Sequence, residues 1–229
     1  MTPGQHPRYE FGQPDQWALD QGYRLVAGVD ETGRGAMAGP LVAAAVVVPE
    51  GVELRLVNDS KLLTPQQRNA ASEEIRNRAA AWSIGMVEPA MIDRLNVQGA
   101  TWLAMRRALA GLTVQPDFVL FDGLEPRGMD CEHKAFVGGD ACSPRIGAAS
   151  IMAKVTRDRA MERLDLVYRG YALASNKGYI TPEHCRALLE LGPSAIHRRR
   201  FWRVAQQRRE HLPFDDEELR RLGVIGGES

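Results

Sequence analysis

Asp30 and Glu31 are adjacent carboxylates, set directly after the apolar run 23–29 (YRLVAGV) and directly before Gly33-Arg34-Gly35. Two further acids share that setting: Asp122 closes the run 118–121 (FVLF), and Asp140 follows V-G-G at 137–139. Neighbouring negative charges at a strand end are costly to hold together unless a cation neutralises them. Acids at the ends of adjacent strands converge on one sheet edge, where their oxygens can hold hard cations such as Mg²⁺. Two such ions stabilise both the attacking and the leaving oxygen of a phosphoryl transfer. No histidine or cysteine stands at these strand ends, which argues against zinc. An Asp-Gly pair is also an ordinary turn, and for Asp122-Gly123 alone that explanation suffices. Two adjacent acids beside a buried strand have no such folding role. Asp158, four residues after Lys154, competes for the fourth position, but its spacing favours an i,i+4 ion pair with that lysine. Gly33 and Gly35 let backbone come close to a ligand, and Arg34 between them can take a phosphate bidentately.

The elements that must carry these residues follow from pattern. The apolar runs 23–29 and 41–48 read as buried strands, antiparallel through the glycine turn between them. Residues 58–61 read as a loop, and Thr64-Pro65 opens a helix with threonine as N-cap and proline at the first turn. A strand is expected at 82–87, a short helix at 89–95, and a stronger helix at 98–112 with Trp102, Leu103, Met105, Leu109 and Leu112 in an apolar stripe. Short strands at 118–121 and 135–137, with loop or hairpin at 124–133, precede a long helix at 146–168. Thr181-Pro182 caps a last helix, which Gly192-Pro193 ends. Strands alternating with helices make this an α/β chain.

Bulk properties narrow the class. The 229 residues suit one α/β domain, expected at 22–211 with C-terminal helices, between a flexible arm at 1–21 and an acidic tail at 212–229. Formal net charge is zero, so no global basic field draws in nucleic acid, and any such binding must come from a local patch. The three cysteines are widely spaced and odd in number, giving neither metal-ligand spacing nor a disulfide framework. The polar, proline-broken N-terminus is not expected to be a signal peptide, and no apolar run is long enough to span a bilayer. A cytoplasmic monomer that avoids membranes is expected.

The stretch 28–47 (GVDETGRGAMAGPLVAAAVV) resembles the signature of ribonuclease HII, the type 2 ribonuclease H. The resemblance continues in NDSKLL (58–63), NVQGATWLAMRRA (96–108), VLFDG (119–123), GGD (138–140), AASIMAKVTRD (148–158), NKGY (176–179) and GPSAIHRRRF (192–201). It implies a ribonuclease H-like fold, with a mixed five-stranded sheet flanked by helices and a C-terminal helical part. It also implies an endonuclease that cleaves RNA in RNA–DNA hybrids, including single ribonucleotides in duplex DNA, with Mg²⁺ or Mn²⁺. The family's four acidic residues map onto Asp30, Glu31, Asp122 and Asp140. Its glycine–arginine–glycine turn, here Gly33, Arg34 and Gly35, reads the ribose 2′-OH, and its turn tyrosine, here Tyr179, packs on the neighbouring sugar. Thr32, Ala36-Met37 and Asn176 depart from the residues usual in the family, but no carboxylate is lost.

Several basic positions are expected to hold the duplex: Lys61 and Lys177 foremost, with Lys154, Arg157 and the run Arg198-Arg199-Arg200. A metal-free attack by the 2′-OH would want a general base such as histidine. His133, His184 and His197 are available, but the last two read as helix-surface or core-edge residues.

Overall fold

In the computed structural model, residues 9–57 and 63–201 are described; Lys61 and the 212–229 tail lie outside them. Five strands, β1 (Val26–Thr32), β2 (Leu41–Val47), β3 (Ala81–Val87), β4 (Phe118–Asp122) and β5 (His133–Phe136), form one sheet in the order β3-β2-β1-β4-β5. β1 is antiparallel to β2 and β2 to β3, while β1, β4 and β5 run parallel. The expected mixed five-stranded sheet is therefore present. The central strands are runs of valine, alanine and leucine because both faces are covered.

Side-chain alternation sorts those faces. On β2, Leu41, Ala43, Ala45 and Val47 pack toward α3 (Pro89–Ala110), and Val42, Ala44 and Val46 toward α2 (Pro65–Arg78) and α5 (Pro144–Val167). At Gly28 the backbone of α5 lies so close that an added Cβ would stand 2.1 Å from the Arg145 carbonyl. That contact brings α5 directly over β1. A short α4 (Gly139–Cys142) leads into α5, and α6 (Leu173–Asn176) and α7 (Pro182–Leu191) follow it.

Three differences from expectation have physical causes. First, β1 begins later and runs further than 23–29, so Asp30 and Glu31 lie within the strand. Arg24 and Leu25 are held instead by the Asp117 carboxylate, at 2.8 and 3.0 Å, while Asp30, Glu31 and Thr32 register with Ala44, Ala43 and Val42 of β2. Second, the arm expected over 1–21 contains a helix, α1 (Gln13–Asp20). Ala18 is fully buried there with Phe118 and Phe136, and Asp15 forms a buried ion pair with Arg145 at 2.9 Å. Third, the two helices expected at 89–95 and 98–112 run on as α3 with a break at Asn96 (φ 62°, ψ 171°). The Asn96 Oδ1 caps the second half by accepting from the N–H groups of Gln98 and Gly99. No described helix is long and apolar enough to cross a membrane.

Candidate active site

Alternation also sets where the acids point. Ala27 and Val29 of β1 pack on the α3 side, so Asp30 faces α5. Val119 and Phe121 of β4 do the same, so Asp122 shares Asp30's face. Val29 and Phe121 are registered partners, which sets Asp30 and Asp122 side by side at the C-terminal edge of two parallel strands. Asp140 enters from α4, where the Gly139 N–H donates to the Asp122 Oδ1 at 2.7 Å. Glu31 lies on the other face of β1, and Arg34 reaches it at 3.2 Å while donating to Gln98 Oε1 at 3.1 Å. Asp30, Glu31, Asp122 and Asp140 line one cavity of about 430 Å³ with Thr32, Arg68, Ser150, Lys154 and Tyr179.

This cavity concentrates buried negative charge. Asp30 is only 6% exposed. Burial, followed by the charges of Glu31 and Asp122, holds its carboxyl well above the usual carboxylate range, against hydrogen bonds from Ser150 and the Glu31 N–H. Burial raises Glu31 too, although the Arg34 guanidinium pulls it down. Among the described residues no three acid, histidine or cysteine side chains already surround a point as metal ligands. The protein's own donors serve the acids instead, Arg34 on Glu31 and the Gly139 N–H on Asp122. The donor set is nonetheless all carboxylate oxygen, and the neighbouring charges of Glu31 and Asp122 raise the proton affinity of Asp30. Both properties fit hard divalent cations better than soft ones.

The glycine loop is held from below by two arginines whose role sequence reading missed. Arg157 and Arg198 are fully buried. Arg157 donates to the carbonyls of Pro40, Lys177 and Ala38 at 2.9, 2.8 and 3.1 Å. Arg198 donates to Gly39 twice, at 3.2 and 3.0 Å, and to Arg34 at 2.9 Å. Both were expected on the duplex; they are structural instead, because each is buried and all three of its guanidinium nitrogens donate to backbone carbonyls. Burial pushes Arg198 down to about 9, so it stays cationic at neutral pH. Gly33 (φ +89°) rests on Arg157, where a Cβ would stand 2.2 Å from Nε. A Cβ on Gly35 would meet no protein atom within 4 Å, so that face of the loop is open to a ligand. No sequence signal separates a buried arginine from a solvated one; the signal was only that Arg157 and Arg198 flank matched motifs.

The remaining candidates divide. Tyr179 lines the acidic cavity, with the Arg157 Cζ 5.1 Å from its ring centroid. Lys177 lines an adjoining cavity with Arg68, Lys154, Asp158 and Arg159, and pairs with Glu162 at 2.7 Å. Asp158 pairs with Lys154 at 2.7 Å, as its spacing predicts, and faces that adjoining cavity. Arg199 and Arg200 are exposed, and their backbone N–H groups donate to Asp93. His133 pairs with Val119 near the start of β4, away from the acids, and bonds Glu125. His184 and His197, expected at a helix surface or core edge, are 0% and 3% exposed. The aromatic Tyr171 and the segment 194–198 cover them, contacts that local periodicity does not report.

Known proteins match most of this chain. A family model described as Ribonuclease HII matches residues 27–204. A ribonuclease HII from Moorella thermoacetica is 50% identical over 181 residues, covering 79% of this chain and 88% of its own. One from Geobacter sulfurreducens is 46% identical over 205 residues, covering 87% and 93%. The crystal structure of ribonuclease H2 from Pyrococcus horikoshii OT3 superposes with a TM-score of 0.66 at 28% identity, covering 81% of this chain and 99% of that one.

Proposed function

The chain belongs to the ribonuclease HII family, and on that premise we infer that it is an endoribonuclease hydrolysing the RNA strand of RNA–DNA hybrids. We extend the reading to single ribonucleotides embedded in duplex DNA, cut with two divalent cations to leave 5′-phosphate and 3′-hydroxyl ends. The observation that carries it is the convergence of Asp30, Glu31, Asp122, Asp140 and Tyr179 on one cavity beside a glycine loop with an open face.

Asp30, Glu31, Asp122 and Asp140 are the residues that would hold Mg²⁺ or Mn²⁺. Bound there, such ions supply an activated water and charge stabilisation at the leaving 3′-oxygen. Every other part of the work falls to the chain. Ser150 and the Glu31 N–H fix the Asp30 carboxylate by hydrogen bonds. Gly139 does the same for Asp122. Neutralising Glu31 frees Arg34, already poised between Glu31 and Gln98, to take a substrate phosphate. Gly33 and Gly35 bring flat backbone to the shallow minor groove, where the 2′-OH distinguishes RNA from DNA. Tyr179 offers its ring to the adjacent sugar. Lys61 and Lys177 are assigned to the duplex backbone, with an affinity that falls steeply with salt.

The test compares an all-DNA duplex, the same duplex with one ribonucleotide, and a long hybrid, each with Mg²⁺ and with Mn²⁺. Cleavage of the last two and not the first, with a 5′-phosphate product, is expected. Equal cleavage of all-DNA duplex, or a 2′,3′-cyclic phosphate end, would overturn the reading.

A further inference from the structure

Behind the Tyr179 turn two buried imidazoles meet, His184 of α7 and His197 of the segment after it, with Nε2 atoms 3.1 Å apart. Backbone groups at both ends settle where the protons sit. The Ser194 N–H can only donate, and it points at His197 Nδ1 at 3.0 Å, so that nitrogen is bare. The Tyr179 carbonyl can only accept, and it lies 2.9 Å from His184 Nδ1, so that nitrogen carries hydrogen. Burial lowers both pKa values, His197 to about 4 with the help of its neighbour, so both rings are neutral at pH 7. Neutral His197 then bears its proton on Nε2 and donates to the bare Nε2 of His184. One chain of donors runs from Ser194 through His197 and His184 to the Tyr179 carbonyl.

That chain ends where the candidate substrate contact begins. The Gly178 carbonyl accepts from the Met37 and Ala38 N–H groups at 2.8 and 3.1 Å. The Tyr179 carbonyl accepts from His184. The two peptide planes flanking the Tyr179 Cα are thus both pinned, which fixes its backbone angles and the direction in which its Cα–Cβ bond launches the ring. The other end of the chain is tied to the glycine loop, because His197 bridges Ala38, Gly39 N–H donates to Ile196, and Arg198 N–H donates to Met37.

We propose that His184 and His197 are positioning residues, a directional hydrogen-bond relay that aims the Tyr179 ring at the sugar beside the scissile phosphate and couples it to the glycine loop. The proposal rests on the reading of Tyr179 as the sugar-packing residue. Neither histidine touches substrate; both act through the Tyr179 main chain.

Two side-chain amides separate the relay from mere core packing. His184→Asn can place an N–H where Nδ1 stood and keep the bond to Tyr179, whereas His184→Gln reaches only the Nε2 position and loses it. Both remove a buried ring. On a duplex with one ribonucleotide, kcat/KM per folded molecule should fall about tenfold in His184→Gln and less than threefold in His184→Asn. Added to Tyr179→Ala, His184→Gln should cost less than a further twofold. Equal effects of the two amides, or losses that multiply with Tyr179→Ala, overturn the relay. A Tyr179→Ala variant of full activity would instead retire the sugar-packing role, a distinct failure. Long-range ¹H–¹⁵N NMR of the unmodified protein needs no variant to fold. It should show His184 protonated at Nδ1 and His197 at Nε2, and the opposite tautomers overturn the proposal.

Discussion

At the residue scale, the acidic cavity works by holding charges that would rather be apart. Asp30 takes its raised proton affinity from burial first, and then from Glu31 and Asp122. Asp122→Asn keeps the shape, and the amide oxygen can still accept from Gly139. Turnover with Mg²⁺ should be abolished, while the melting temperature in chelator should hold or rise as repulsion falls. Retention of more than a few per cent of turnover would remove Asp122 from the catalytic set. Asp140→Asn should be far more damaging than Asp158→Asn, because Asp140 lines the acidic cavity and Asp158 is paired with Lys154 beside it. Parallel assays of the two variants, with the reverse ranking, would move the site onto α5. These acids were legible in sequence because strand, glycine and carboxylate stand together in the chain. Arg157 and Arg198 were not, because nothing local marks an arginine most of whose partners are carbonyls more than a hundred residues away.

At the element scale, α1 matters to the site without touching it. Asp15 bonds Arg145 at the first turn of α5, and the Gly12 N–H donates to Cys142 at the end of α4. α4 carries Asp140, and α5 carries Ser150 and Lys154. Arg145 also donates to the Val48 carbonyl at 3.2 and 2.9 Å, so it ties the N-terminal helix, the end of β2 and the start of α5. Removing one partner of a buried pair leaves an uncompensated charge, at a cost of roughly 3–5 kcal/mol. Asp15→Ala should show a loss of that order in urea unfolding, and a change under about 1 kcal/mol, within ordinary surface effects, would mean that α1 does not brace α5. The polar sequence of 13–20 concealed this helix, since only a few of its residues are buried and their partners are distant. The strands were easier to read, because runs such as 41–47 are apolar throughout and need no distant partner to declare burial.

At the scale of the whole molecule, formal net charge is zero at pH 7, and the buried titrating groups add their own pH dependence to stability. His184 and His197 have lowered values in the folded state. The unfolded chain therefore takes up protons first, and their stabilisation, full above about 6.5, is lost as pH falls through their folded values, about 4 for His197. For His197 alone the displacement from 6.5 to about 4 corresponds to something on the order of 3 kcal/mol. Asp30 and Glu31 have raised values, so their contribution is full below the unfolded carboxylate range and is lost as pH rises through their folded values. The two trends oppose each other in the metal-free protein. Asp30→Asn removes the Asp30 part of the carboxylate trend, so its stability in chelator should climb more steeply between pH 4 and 6.5 than that of the parent protein. Superimposable urea-unfolding profiles would contradict that balance.

By itself, the sequence determined the chemistry available and the order of its delivery: four carboxylates, a glycine–arginine–glycine turn, a tyrosine after lysine–glycine, and the alternation of strands and helices. These depend on residue type and near spacing, which set backbone preference and periodicity over a few residues. Only the tertiary structure decided which cations are free to meet a ligand and which are consumed inside. It drew Arg198 to Gly39 across 159 positions and Arg145 to Asp15 across 130. It also joined His184 to His197 and buried both. The cost of a buried charge or imidazole is set by the groups around it, and those groups arrive from parts of the chain that no local pattern connects.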